Sequence, residues 1–141
     1  METKTKAIGA ITGYYEGSGS WHDSAGNWKV YRVSQTNRVV REGFEVSFTH
    51  AFDDGSVVHT HLVMIWVANF IFRVDSADAP IGNGYCIQDY CHYHMVIGDT
   101  FVEASYRPTA DGIEVFGSST KNAEGLYIAW HESLRRVARA E

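Results

Sequence analysis

Residues 44–65 read FEVSFTHAFDDGSVVHTHLVMI, two runs of alternating side chains on either side of Asp54-Gly55. Asp-Gly between such runs favours a two-residue type I′ hairpin turn. That turn pairs Asp53 with Ser56, Phe52 with Val57 and His50 with His59, and directly paired residues share a face of the sheet. One face then carries Phe44, Val46, Phe48, His50 and Phe52 with Val57, His59, His61, Val63 and Ile65. Glu45, Ser47 and Thr49 take the other face, so the aromatic face is predicted to point inward. His50, His59 and His61 would therefore look into the core among aromatic rings. The same register leaves Leu62, Met64 and Trp66 on the outer wall. A contiguous apolar patch of that kind marks an interface, which predicts a homodimer through this face.

The rest of the chain repeats the pattern. Turn signals stand at Ala25-Gly26-Asn27, Ile81-Gly82-Asn83-Gly84, Gly98-Asp99, Ala110-Asp111-Gly112 and Asn122-Ala123-Glu124-Gly125. Between them strands are expected near 11–20, 28–38, 42–52, 57–68, 69–75, 85–97, 100–107, 113–119 and 126–134. Consecutive strands joined by short turns must bury their edges, and a meander does so by closing on itself. The predicted fold is all-β, an antiparallel up-and-down barrel of about 8–10 strands, formed by one domain spanning 1–141. Trp130, Leu134 and Val137 also keep helical spacing, with Glu132 four residues before Arg136. The last segment is therefore read as strand to about 133, then a short helix or a frayed end.

Composition narrows the function classes. Of 141 residues, 45% are hydrophobic and 21% charged, as in ordinary globular chains and unlike disordered or fibrous ones. Net charge is -5 with neutral His, and protonating all seven His would carry it to about +2. Lys and Arg number 12 and cluster only at Arg135, Arg136 and Arg139, read as a solvated tail, so no nucleic-acid partner is expected. Residues 1–10 lack a signal-peptide core, and the longest apolar run, Leu62 to Phe72, is too short to cross a bilayer as a helix. A cytoplasmic protein without a membrane span is expected. On one extended strand Cys86 and Cys91 would lie about 16 Å apart on opposite faces, which predicts free thiols in a reducing compartment.

The histidines carry what chemistry is legible. Buried imidazoles must find partners, and for His50, His59 and His61 these are one another, Tyr hydroxyls or internal water, a bound small molecule, or a metal. A second pair, His92 and His94, precedes the Gly98-Asp99 turn, across which His94 falls opposite Glu103 and His92 opposite Ser105. The alternate face, Ile87, Cys91, Tyr93, Met95 and Ile97 with Val102, Ala104 and Tyr106, is the more apolar. It is therefore predicted inward, leaving His92, His94, Glu103 and Arg107 in solvent. Cys86, Cys91, His92 and His94 do not have the spacing of a zinc knuckle.

Two resemblances bear on function. His59-Thr60-His61 resembles the first half of the cupin metal motif, although Leu62 to Trp66 offer no Glu ligand. The opening Gly13-Tyr14-Tyr15-Glu16-Gly17 and a closing strand with Trp130 and Arg135 or Arg136 resemble the calycins, which include lipocalins and fatty-acid-binding proteins. That likeness implies a ligand cavity inside the barrel, of the kind known to hold fatty acids, tetrapyrroles and other apolar molecules. The expected function is binding of a small, partly apolar or amphipathic molecule by Phe44, Phe48, His50, Phe52, His59, His61 and Trp130. The alternative is a cupin-like enzyme using His50, His59 and His61 as metal ligands or a general base.

Overall fold

The computed structural model describes residues 9–121 and 125–138. The alternating segments form ten strands: β1 (Gly13–Asp23), β2 (Trp28–Val40), β3 (Gly43–Phe52), β4 (Val57–Trp66), β5 (Ile71–Ser76), β6 (Ala79–Ile87), β7 (Tyr90–Ile97), β8 (Thr100–Pro108), β9 (Gly112–Lys121) and β10 (Leu126–Arg136). Each pairs antiparallel with the next. β10 returns to β1 from Tyr15–Arg136 to Asp23–Ile128, closing an up-and-down barrel. β10 stays in strand to Arg136 and the described residues beyond it are not helical, which corrects the expected C-terminal helix. Glu132 and Leu134 are both buried, so the period of two outlasts the helical spacing. The turn expected over Asn122–Gly125 falls largely outside the described residues, as does Arg139.

The two barrel ends differ. Connections β2–β3, β4–β5, β6–β7 and β8–β9 lie at one end, together with a single helical turn over residues 9–11. There Phe44, Trp66 and Phe72 pack edge-on or tilted at 5.3–6.0 Å between ring centroids. Arg136, expected in a solvated tail, instead seals this end. Its guanidinium donates to Ala10 O, Thr12 O and the Tyr15 hydroxyl at 2.9–3.1 Å and lies 5.4 Å from the Tyr15 ring centroid. Asn37 Nδ2 donates to Ile11 O at 2.9 Å and closes the floor beside it. The other five hairpins ring the opposite, open end.

The deciding hairpin forms in another register. Ala51 pairs with Val57, His50 with Val58, Thr49 with His59 and Ser47 with His61. Asp53, Asp54 and Gly55 make a three-residue loop, in which Gly55 N–H donates to Phe52 O and Phe52 N–H to Ser56 O, with Gly55 at φ 88°. That is a tight turn completed by a left-handed bulge residue, one residue longer than a type I′ loop. A one-residue slip moves every side chain of the second strand to the other face. His59 and His61 therefore face outward, and Leu62 and Met64 are buried in the core. The expected homodimer face at Leu62, Met64 and Trp66 is thus not an outer surface; Trp66 packs inward against Phe44 and Phe72.

Two further expectations change around β6. Gly82-Asn83-Gly84 is strand, not turn, and the hairpin tip is Ala77-Asp78, both at positive φ. Glycine at 84 is a packing requirement, because a Cβ there would enter the Phe72 ring. The expected strand 85–97 breaks at Gln88-Asp89, so Cys86 and Cys91 face each other across β6–β7 with Cα atoms 4.1 Å apart and form a disulfide. Free thiols are thereby corrected, and with them the cysteine argument for a reducing compartment. Among the described residues no helix is long and apolar enough to cross a membrane.

Candidate functional site

Packing fills the closed half of the barrel and leaves a cavity of about 230 Å³ in the open half. Its apolar wall is Trp21 from β1, Phe48 from β3, Val115 from β9, and Ile128 and Trp130 from β10. Polar groups enter from Tyr31 and Gln35 on β2, His50 on β3, Tyr93 on β7, Tyr106 on β8 and Glu132 on β10. Each lies at an inward position of a period-two strand, which is how residues far apart in sequence reach one chamber.

Glu132 is the most consequential of these, a carboxylate only 2% exposed. The Tyr31 hydroxyl donates to its Oε2 at 2.8 Å. Burial, reinforced by the adjacent Glu132 charge, pushes the Tyr31 phenol far above its usual range, so it remains a donor. Room for the pair comes from Gly19, whose Cβ would stand 2.6 Å from Glu132 Cγ and 2.7 Å from the Tyr31 ring. Gly117 does the same beneath Trp130, where a Cβ would come within 2.8 Å of the indole.

His50 is held between Tyr31 and Phe48, with ring centroids 4.6 and 4.9 Å away. Its Nε2 lies 3.2 Å from Glu132 Oε2, yet the alignment is not that of a hydrogen bond and this buried nitrogen has no hydrogen-bond partner. Deeper in, the hydroxyls of Tyr93 and Tyr106 bond each other at 2.9 Å. Burial raises both phenols well above the ordinary value, so both are neutral donors and acceptors. The chamber can therefore take a molecule with an apolar body and a polar group directed at His50, Tyr31 and Glu132.

Of the residues expected from sequence, Phe48, His50 and Trp130 line this cavity. Phe44 is buried below it in the closed-end core, and Phe52 stands near the rim, its ring 5.4 Å from that of Tyr31. His59 and His61 are outside: His59 Nδ1 bonds Thr49 Oγ1 at 2.8 Å, and His61 Nε2 bonds Glu45 Oε2 at 3.2 Å, with Arg38 on the same carboxylate. His50, His59 and His61 therefore do not converge, which removes them as a joint metal set. Among the described residues no group of three or more His, Cys, Asp or Glu gathers in metal-binding range. His94–Glu103 and His92–Ser105 pair as expected, on the outer face of the barrel. Sequence reasoning missed Trp21, Tyr31, Gln35 and Glu132. The signal for Glu132 was its phase with Ile128, Trp130 and Leu134 along a strand.

No protein-family model matches the chain, and no curated protein matches it in sequence. Among solved structures, the S-type phycobiliprotein lyase CPES from Guillardia theta matches with a TM-score of 0.75 at 11% identity, over 94% of this chain and 92% of that one. The likeness shows that this chain has a calycin-like barrel fold.

Proposed function

We propose that this calycin-like barrel binds a small, partly apolar molecule in its open-ended cavity, with Trp21, Phe48 and Trp130 against the apolar body and Tyr31, His50 and Glu132 orienting the polar end. The observation that carries the reading is the buried carboxylate beside an imidazole nitrogen that lacks a hydrogen-bond partner, on the wall of a mostly apolar chamber. Burying such groups costs free energy that aliphatic residues in their place would not, while mostly apolar walls with a few convergent polar groups are what small-molecule sites require. The fold likeness to a phycobiliprotein lyase is consistent with this reading.

Native mass spectrometry of freshly purified protein beside a denatured aliquot tests the proposal. An organic mass excess in the native form, diminished in Phe48→Ala, is the expected result. A bare native mass, together with no small molecule that alters Trp21 and Trp130 emission, would overturn it. A second reading, general-base chemistry by His50, draws on the Glu132 carboxylate 3.2 Å away. It requires that a bound molecule be released altered, and that His50→Gln stop the alteration.

A further inference from the structure

We infer that the cavity selects a compact organic cation, a one- or two-ring amine, over the anionic or neutral apolar molecules that such a chamber could otherwise hold; this rests on the binding reading above. The first observation is charge. Glu132 is a lining carboxylate, and among the described residues no Lys or Arg lines the cavity. Arg136 is engaged at the opposite, sealed end, and Lys29 lies over the Phe52 ring at 5.7 Å. A fatty acid seated head-inward would set its carboxylate against Glu132 with no Lys or Arg among the described lining residues.

The second observation is the wall. Trp21, Tyr31, Phe48 and Trp130 share the cavity wall with the carboxylate. Aromatic faces attract cations through their quadrupole, most strongly where water is excluded. Third, Glu132 Oε2 and His50 Nε2 lie 3.2 Å apart without a hydrogen bond between them, and the nitrogen is buried without a hydrogen-bond partner. With its proton on Nδ1 the imidazole presents a lone pair at Nε2, and the carboxylate keeps lone pairs beyond the one Tyr31 uses. Two acceptors that close call for one shared multiple donor, and an ammonium has three N–H groups. Fourth, about 230 Å³ lies below the roughly 300–1,000 Å³ of sites for drug-sized ligands. A flat ring system with a short amine arm fits that space, and a long acyl chain does not.

Titration calorimetry with three probes sharing one ring tests the inference: tryptamine (cation), tryptophol (neutral) and indole-3-propionate (anion). Tryptamine is expected to bind at least tenfold more tightly than tryptophol and to leave indole-3-propionate undetectable. Glu132→Gln should abolish the preference for tryptamine over tryptophol. The ranking on the unaltered chain stands by itself should that variant fold poorly. Equal or tighter binding of tryptophol or indole-3-propionate overturns cation selection while the cavity remains a binding site. An anionic or neutral molecule found in the native mass spectrum does the same. No heat from any probe also overturns it, and the binding proposal is then judged separately by the mass excess.

Discussion

Glu132 occupies an inward position on β10 whose neighbours on that face, Ile128, Trp130 and Leu134, are all apolar, and its hydroxyl donor is Tyr31, 101 residues away in sequence. Breaking one half of such a pair leaves an uncompensated buried group, whereas replacing both with apolar side chains is close to neutral. Glu132→Leu combined with Tyr31→Phe is accordingly expected to unfold within about 1 kcal/mol of the parent, or later, in urea, and to bind no ligand. Glu132→Leu alone should cost about 1–3 kcal/mol, because it leaves the buried Tyr31 hydroxyl without its acceptor. Gly19→Ala makes the opposite demonstration. Its Cβ would stand 2.6 Å from Glu132 Cγ, so a loss of about 1–3 kcal/mol is expected from overpacking, together with lost binding. Denaturant melts and calorimetry on the same samples check both.

At the scale of elements, the β3–β4 hairpin shows how much depends on one loop residue. The composition of both strands was legible, and with it the inward aromatic face of β3. The facing of His59 and His61 was not, because Asp53-Asp54-Gly55 admits a two-residue or a three-residue loop and only the burial of Leu62 and Met64 chooses between them. Gly55→Ala places a Cβ at φ 88° and should destabilise by about 1 kcal/mol without shifting the register, since slippage would expose that core. Amide exchange across the hairpin would show a faster-opening loop and unchanged protection in β4. The short β5 carries a different device. Arg73 donates to both oxygens of Asp75 at 2.7 and 2.9 Å, and this hydrogen bonding holds the carboxyl below its ordinary value of 3.8. A depressed folded-state value means stability that is present above about pH 4 and lost as pH falls through the lower folded value. Thermal midpoints between pH 2 and 6 should fall on acidification, and Asp75→Asn should flatten that fall.

At the scale of the molecule, the barrel divides its work between a packed end and an open one. Aromatic rings, Arg136 and the Cys86–Cys91 bridge hold the first, and the cavity with its polar groups occupies the second. The disulfide closes a short loop, so chain entropy predicts only about 2 kcal/mol of stabilisation. Reduction should lower the melting temperature by several degrees and leave the barrel closed by far-ultraviolet circular dichroism. What the sequence by itself determined was the strand-and-turn rhythm, the need to close the meander, and the inward phase of strands whose polar and apolar residues alternate cleanly, such as β7 and β8. The tertiary structure alone decided the β3–β4 register, the disulfide, the reach of Arg136 to the far terminus, and the meeting of Tyr31, His50 and Glu132. The reason is physical: periodicity is a local property of one strand. Loop length by one residue, turns without glycine such as Ala77-Asp78, and contacts 82 to 101 residues apart are chosen by which arrangement buries the core.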